Sequence, residues 1–309
     1  MSEYRCGFVG IVGRPNVGKS TLMNRILGQK LAITTPKPQT TRDRIKGIRT
    51  WEGADPWQAI FVDTPGIHEA QTRLNRYMVD LAIGTLSEVD VAYLLVDAAK
   101  AVNNPAAAVA DLAGVVQHVS SAGKKAFLIL NKIDKIPDKT KLFTLMETFA
   151  QAHAWAEIVP VSAKRSDNLG RLLEVTRAAL PEGPPLFAAD ELTDRPMRFI
   201  AKEIIREQLF LRLAQELPYA LAVDIIQWED KPDVIVIHAN VHVARKSHKP
   251  IVVGRQGAQI KEIGEKSRLG IERFVERKVY LDLRVKVDEG WVDRPDALRE
   301  LGYDERETK

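Results

Sequence analysis

Along the first half of the chain, short apolar runs alternate with longer stretches whose apolar residues return every three or four positions. The runs fall at residues 5–12, 57–62, 90–97, 126–130 and 157–161. Runs of that length, rich in β-branched and aromatic residues, read as strands, and strands separated by helix-length segments predict a parallel sheet with crossover helices. Pro181, Gly183, Pro184 and Pro185 then break the pattern, and proline stiffness there suits a linker. The predicted organisation is a first domain at 1–180, a linker at 181–196, a second domain at 197–290 and a tail at 291–309.

The second domain has a different rhythm. Ile200, Ile204, Ile205, Leu209, Leu211 and Leu213 form an apolar stripe in a helical stretch at 197–217. Strand-like segments follow at 220–228 and 234–243, joined by a turn at 229–232. A glycine turn at 254–257 opens a helical region reaching residue 277, and an alternating strand runs over 279–287. The order is α-β-β-α-α-β, so the fold class is α/β followed by α+β. An alanine-rich helix at 105–110 is expected to serve core packing.

Composition narrows the class further. A chain of 309 residues with 45% hydrophobic and 28% charged residues suits two globular domains and excludes large-scale disorder. The single cysteine, Cys6, forms no intrachain disulfide or cysteine-rich zinc site, which fits a reducing compartment. The runs at 91–96 and 126–130 fall far short of the roughly 20 apolar residues of a membrane-spanning helix. Arg5 precedes an apolar stretch that ends in a glycine turn without a cleavage site, so it reads as a first strand and not as a signal peptide. Charge is uneven: residues 245–286 carry 12 basic and 5 acidic residues, a block suited to a polyanion.

The first strand ends in Gly13-Arg14-Pro15-Asn16-Val17-Gly18-Lys19-Ser20-Thr21, a P-loop in its strand-loop-helix setting. Its glycines let backbone N–H groups converge on phosphate oxygens, and the following helix adds partial positive charge. Lys19 would reach the β and γ phosphates and Ser20 would hold Mg²⁺. Kinase, ATPase and GTPase remain open until the base reader is considered. Asn131-Lys132-Ile133-Asp134 follows the strand at 126–130. The Asp134 carboxylate can accept from N1–H and the exocyclic amine of guanine, a donor pair that adenine lacks. Asn131 would brace the loop and Lys132 would lie along the base. Asp63-Thr64-Pro65-Gly66 and Ser162-Ala163-Lys164 stand at two further strand ends, where an open parallel sheet binds ligands. Asp63 would bind Mg²⁺ through water, the Gly66 amide would sense the γ-phosphate, and the Ser162 loop would buttress guanine.

Together these motifs resemble the translation-factor-related branch of the P-loop GTPases. The resemblance implies a metal-binding threonine in Gln39-Thr40-Thr41-Arg42-Asp43, with Thr41 the choice and Thr40 the fallback. One departure concerns mechanism: Ile67 stands where Ras-like enzymes carry a water-orienting glutamine, so turnover is expected to be slow alone or to need another group. In relatives with this substitution a P-loop asparagine helps to bind K⁺, and Asn16 occupies that place.

In the second domain, Gly254-Arg255-Gln256-Gly257 and the nearby Lys261 resemble the GxxG turn of a KH RNA-binding motif of the prokaryotic type, which clamps the backbone of about four nucleotides. With Thr193-Asp194-Arg195-Pro196 and Glu216-Leu217-Pro218-Tyr219, the whole chain resembles the Era family of bacterial ribosome-assembly GTPases. That resemblance implies GTP/GDP and Mg²⁺, binding near the 3′ end of 16S ribosomal RNA, a role in 30S subunit maturation, a monomer, and a cytoplasmic site of action with peripheral inner-membrane association. The alternatives are a passive RNA chaperone, a tRNA-modifying GTPase and an ATP-dependent kinase. His238 and His242 share a strand face without a clear third ligand, and are read as surface or RNA-facing residues. Trp51, Trp57 and Trp155 are read as packing residues.

Overall fold

A computed structural model describes residues 4–214 and 216–303. Six strands form the first sheet: β1 (Arg5–Gly13), β2 (Ile45–Trp51), β3 (Trp57–Asp63), β4 (Val91–Asp97), β5 (Lys125–Asn131) and β6 (Glu157–Pro160), in the order β2-β3-β1-β4-β5-β6. All neighbours are parallel except β2 and β3. β2 was not foreseen, because Lys46 and Arg49 interrupt its apolar residues and only Ile45, Gly47 and Ile48 are buried in it. A mixed edge strand hides in this way whenever its outer face is wet.

Helices cover both faces. α1 (Lys19–Leu27) and α6 (Leu169–Ala179) bury Leu22, Ile26, Leu172 and Val175 against Val9, Ile11, Phe61 and Phe127. On the opposite face lie α2 (Arg73–Glu88), α3 (Ala98–Ala101), α4 (Pro105–Ser121) and α5 (Thr140–Ala152). Leu86, Val115 and Val119 pack there on Val12 and Leu94, and Leu145 and Phe149 on Leu128 and Leu130. The alanine-rich start of α4 serves the core only in part: Ala108 and Val109 pack against it, while Ala106, Ala107 and Ala110 are exposed, and Ala107 and Ala108 line a cavity beside Pro15. Periodicity could not reveal this, since alanine suits either face of a helix.

The linker is strapped to the first sheet. Cys6 N–H donates to Pro181 O at 3.1 Å and Ile48 N–H to Leu192 O at 2.8 Å. The buried Gln58 amide donates to Phe187 O and accepts from the N–H groups of Leu186 and Phe187. Trp51 and Trp57 stack with ring centroids 3.9 Å apart.

The second domain contains α7 (Met197–Arg212), β7 (Leu221–Asp230), β8 (Ile235–Val243), α8 (His248–Val253), α9 (Ala258–Val275) and β9 (Val279–Val287). β7 pairs antiparallel and β9 parallel with β8, giving the α-β-β-α-α-β order. Its core joins Ile205 and Leu209 of α7, Ile263 and Ile271 of α9, and Val223, Ile237 and Val241 of the sheet.

Residues 291–303 carry a 3₁₀ turn (Trp291–Asp293) and α10 (Pro295–Glu300). Trp291, Leu298, Leu301 and Tyr303 are buried against Leu74, Tyr77, Met78 and Leu81 of α2, so this segment bridges the two domains. The last residues of the expected tail, 304–309, lie outside the described residues. Among the described residues, no helix is long and apolar enough to cross a membrane.

Candidate functional site

The loop after β1 folds into a cradle. Gly13, Asn16 and Gly18 all have positive φ, and alternation of left- and right-handed residues turns successive N–H groups inward. Lys19 opens α1 and donates from Nζ to the carbonyls of Gly13 at 3.2 Å and Arg14 at 3.1 Å. It faces a cleft of about 360 Å³ lined also by Asn16, Ser20, Thr34, Thr41 and Gly66. Thr21 and Lys132 border the same cleft.

Three oxygen groups from separate segments meet at its floor. Ser20 Oγ donates to Asp63 Oδ2 at 2.6 Å, Thr41 Oγ1 lies 3.1 Å from Ser20 Oγ, and Thr41 Oγ1 donates to Asp63 Oδ2 at 3.4 Å. Thr40 turns away into its own loop, where its hydroxyl meets Thr35 Oγ1 and donates to Lys37 O at 2.9 Å. Asp63 Oδ1 is buried without a partner. Two hydroxyls and a carboxylate with an unused oxygen form a hard donor set that fits Mg²⁺, which keeps several of its own waters.

The electrostatics point the same way. Burial pulls the Lys19 ammonium down to about 8, against the opposing pull of Asp63. Burial likewise pushes the Asp63 carboxyl up to about 6, opposed by Lys19 and by the Ser20 and Thr41 hydroxyls. Each charge is thus held at a cost that an incoming phosphate or divalent cation would offset.

Gly66 sits against the cradle. A Cβ there would lie 2.7 Å from the backbone nitrogen of Pro15, so any side chain would force the two loops apart. Ile67 N–H donates to Gly13 O at 3.1 Å, and its side chain packs against the cluster around Val12 and Leu86. Thr64 is fully buried and donates to Ile11 O at 2.8 Å; its hydroxyl serves the sheet. Pro65 is buried beside it. Arg14 pairs with Asp111 of α4, which turns its guanidinium out of the cleft.

At the base-reading end, Asn131 ties three loops together. Its Nδ2 donates to Val17 O at 2.8 Å, and its Oδ1 accepts from the N–H groups of Lys132 and Ala163. Asp134 Oδ1 accepts from Ser162 Oγ at 2.7 Å, a bond that holds its carboxyl below the ordinary range. An ionised carboxylate fixed in this way suits the paired donors of guanine. Ala163 is buried and Lys164 exposed; Arg25 holds their carbonyls at 3.3 and 2.9 Å.

In the second domain, Gly254 has φ 75° and ψ 177°, a conformation for glycine alone, and a Cβ there would meet Gln259 Cβ at 2.5 Å. The turn it begins presents Arg255 and Gln256 to solvent and leads through Gly257 into α9. Beside it runs a groove of about 300 Å³ lined by Ile260, Gly264, Leu281 and Leu283 together with Lys261, Arg268 and Glu265. Apolar side chains with two basic residues and one acidic residue among them suit unpaired bases and their phosphates.

The family described as "50S ribosome-binding GTPase" matches residues 8–132, and that described as "KH domain" matches residues 216–292. GTPase Era of Trichlorobacter lovleyi is 45% identical over 304 residues, covering 98% of this chain and 99% of the relative. The chain belongs to the Era family of GTPases. GTPase Era of Syntrophus aciditrophicus is also 45% identical, over 98% of this chain and 96% of its own. Two solved Era structures superpose with TM-score 0.91 over 97% of this chain and 99% of theirs. One is a variant of Aquifex aeolicus Era bound to GDP and AlF4⁻, 38% identical. The other is Era in complex with MgGDPNP and nucleotides 1506–1542 of 16S ribosomal RNA, 37% identical.

Within this Era-family architecture, motif reading missed the residues that join the nucleotide cleft to the second domain. The segment carrying Thr41 also carries Lys37, whose ammonium donates to the Phe210 and Leu213 carbonyls at the end of α7. Thr34 N–H donates to Glu207 Oε1 at 3.0 Å, and Lys30 Nζ pairs with Glu207 Oε2 at 2.6 Å. Arg42, next to Thr41, is 2% exposed and donates to the carbonyls of Pro218, Tyr219 and Leu221. The one available signal was the cluster of basic residues around Thr40 and Thr41, which motif reading passed over. His238 pairs with Asp282 and contacts Tyr280, and among the described residues no group of three or more His, Cys, Asp or Glu could hold a metal.

Proposed function

We propose that this chain hydrolyses GTP to GDP and phosphate with Mg²⁺ and that its second domain holds the 3′ region of 16S ribosomal RNA in the cytoplasm while the 30S subunit matures. The observation that carries this reading is the meeting of Ser20, Thr41 and Asp63 beneath Lys19, on a segment whose other side chains grip α7. Ser20, Thr41 and Asp63 would hold Mg²⁺, which when bound neutralises charge on the phosphates. Lys19 and the inward N–H groups of the loop residues other than Pro15 stabilise the charge spread over the transferring phosphoryl group as water attacks in line. Asp134 selects guanine, with Asn131 and Ser162 holding its loop. Gly254, Arg255, Gln256, Gly257 and Lys261 clamp RNA. Hydrolysis frees Thr41, and the grip on α7 carries that change to the RNA-binding domain.

The test is displacement of bound mant-GDP, together with filter binding of a 16S 3′-end RNA. GTP is expected to displace mant-GDP at micromolar concentration while ATP fails at a hundredfold excess, and RNA affinity is expected to differ between the GTP-analogue and GDP forms. Equal displacement by ATP overturns the guanine reading, and equal RNA affinity overturns the coupling.

We infer further that the water-handling group absent at Ile67 is replaced by a monovalent cation. Asn16 donates from Nδ2 to Pro36 O at 3.1 Å, and both residues border the cleft beside Lys19. Turnover in KCl is expected to exceed turnover in NaCl several-fold; equal rates in the two salts would refute the role.

A further inference from the structure

We infer that Asp97 is a positioning residue for nucleotide binding: it fixes Lys132 as the platform under the base. The inference rests on the guanine-nucleotide reading of the cleft. Asp97 is the last residue of β4 and lies level with Asn131 across the β4–β5 pairing. It is also the residue preceding α3, where an aspartate ordinarily caps the helix by accepting from a backbone N–H. Here it makes no such cap. Its carboxylate reaches instead to Lys132, and Asp97 Oδ2 accepts from Lys132 Nζ at 2.7 Å.

The lysine is held from three directions. Its Nζ also donates to Asn16 O in the phosphate cradle at 2.5 Å, its N–H donates to Asn131 Oδ1 at 2.8 Å, and its backbone is left-handed, with φ 67° and ψ 32°. The side chains of Asp97 and Lys132 are 11% and 23% exposed, so the pair sits where screening by water is weak. Lysine has a flexible four-carbon stem that loses much rotamer freedom when fixed. With both the carbonyl and the carboxylate in place, that stem is stretched between the base-reading loop and the cradle before nucleotide arrives. Without Asp97, the ammonium keeps one neutral acceptor in a half-buried site and turns toward water, so the stem must be ordered on each binding event.

This assignment separates binding from chemistry. Asp97 does not line the phosphate cleft, whose walls include Lys132, and it touches neither Ser20, Thr41 nor Asp63. Its loss is expected to raise the mant-GDP dissociation constant about tenfold, mostly through faster release, and to raise KM for GTP while kcat stays within about twofold.

The experiment measures mant-GDP dissociation and steady-state GTP turnover for the full chain and for Asp97→Ala, Asp97→Asn, Lys132→Ala and the double variant Asp97→Ala/Lys132→Ala. Asp97→Asn keeps the shape and removes the charge, so it serves if Asp97→Ala does not fold. The expected result is a tenfold loss for Asp97→Ala, a smaller loss for Asp97→Asn, and no more than twofold difference between Lys132→Ala and the double variant. A general structural role would instead lower kcat as well as raise KM, and would add to the Lys132 effect. Binding by the unaltered chain with both Asp97 variants within twofold of it overturns this inference alone. Failure of the unaltered chain to bind mant-GDP overturns the nucleotide reading and this inference with it.

Discussion

Lys19→Ala is expected to lower GTP turnover by about 10²–10³-fold while leaving the nucleotide-free protein at least as stable as before. The loss follows from removing a preorganised charge aimed at the transferring phosphoryl group, a kind of change that costs about 3–4 kcal/mol of transition-state stabilisation. The effect on stability has the opposite sign. The Lys19 residue is 6% exposed, its hydrogen-bond acceptors among the described residues are the carbonyls of Gly13 and Arg14, and burial holds its ammonium down to about 8. A cation with a depressed native pKa makes folding less favourable at every pH below that value, where the unfolded chain keeps its proton freely. The associated stability rises as pH climbs from about 8 towards the ordinary lysine value of 10.5, because there the unfolded state binds the extra proton. Substitution by alanine removes both the penalty at neutral pH, up to about 3 kcal/mol by linkage, and the slope above pH 8. Urea unfolding at pH 7.5 and pH 9.5 checks both. A variant that loses turnover and is also several kcal/mol less stable at pH 7.5 would mean that Lys19 is a structural strut.

That opposition of signs explains why the cleft was legible before the fold was known. Phosphate and guanine chemistry demands particular groups at fixed offsets from strand ends, and the chain keeps them: the cradle at 13–21, the carboxylate at 63 and the base reader at 131–134. Local rules also carried the alternation of strands and helices and the glycine turn at 254–257. Residues whose value lies in long-range encounter were not legible. β2 depends on pairing with β3 rather than on its own pattern, and Trp291 and Tyr303 are buried in a cluster that residues of α2 complete. Asp97 stands in no motif, and its role depends on Lys132, 35 residues away, which claims its carboxylate. Arg42 reads as one more loop cation.

Arg42→Ala is expected to uncouple the two domains. The Arg42 guanidinium is buried between them, and among the described residues no carboxylate is hydrogen-bonded to it: Nη1 donates to Leu221 O at 2.5 Å, and Nη2 to Pro218 O at 3.1 Å and Tyr219 O at 3.0 Å. Its carbon lies 5.7 Å from the Phe210 ring centroid and 5.8 Å from that of Trp291. Truncation leaves three carbonyls and two ring faces without their cation in a site closed to water. Leaving a buried carbonyl without its donor costs about 1–3 kcal/mol. Most buried residues of each domain belong to its own core, with Ile200 of α7 joining the first, so the loss falls chiefly on the docking between the domains. Melting is therefore expected to split from one transition into two, and protease is expected to cut within residues 181–196. The functional consequence follows from the neighbouring residue. Thr41 bonds to Ser20 and Asp63, and Arg42 bonds to the turn that leads into β7. With Arg42 removed, RNA affinity measured with GTP analogue and with GDP is expected to converge, while mant-GDP affinity stays within about threefold of the unaltered chain. Arg42→Lys is expected to fall between, because one ammonium cannot span three carbonyls and two rings as a planar guanidinium does. Should the nucleotide dependence of RNA binding survive Arg42→Ala intact, the coupling runs through α2 and the residues packed on it around Trp291, and the Arg42 contact is a passive clasp.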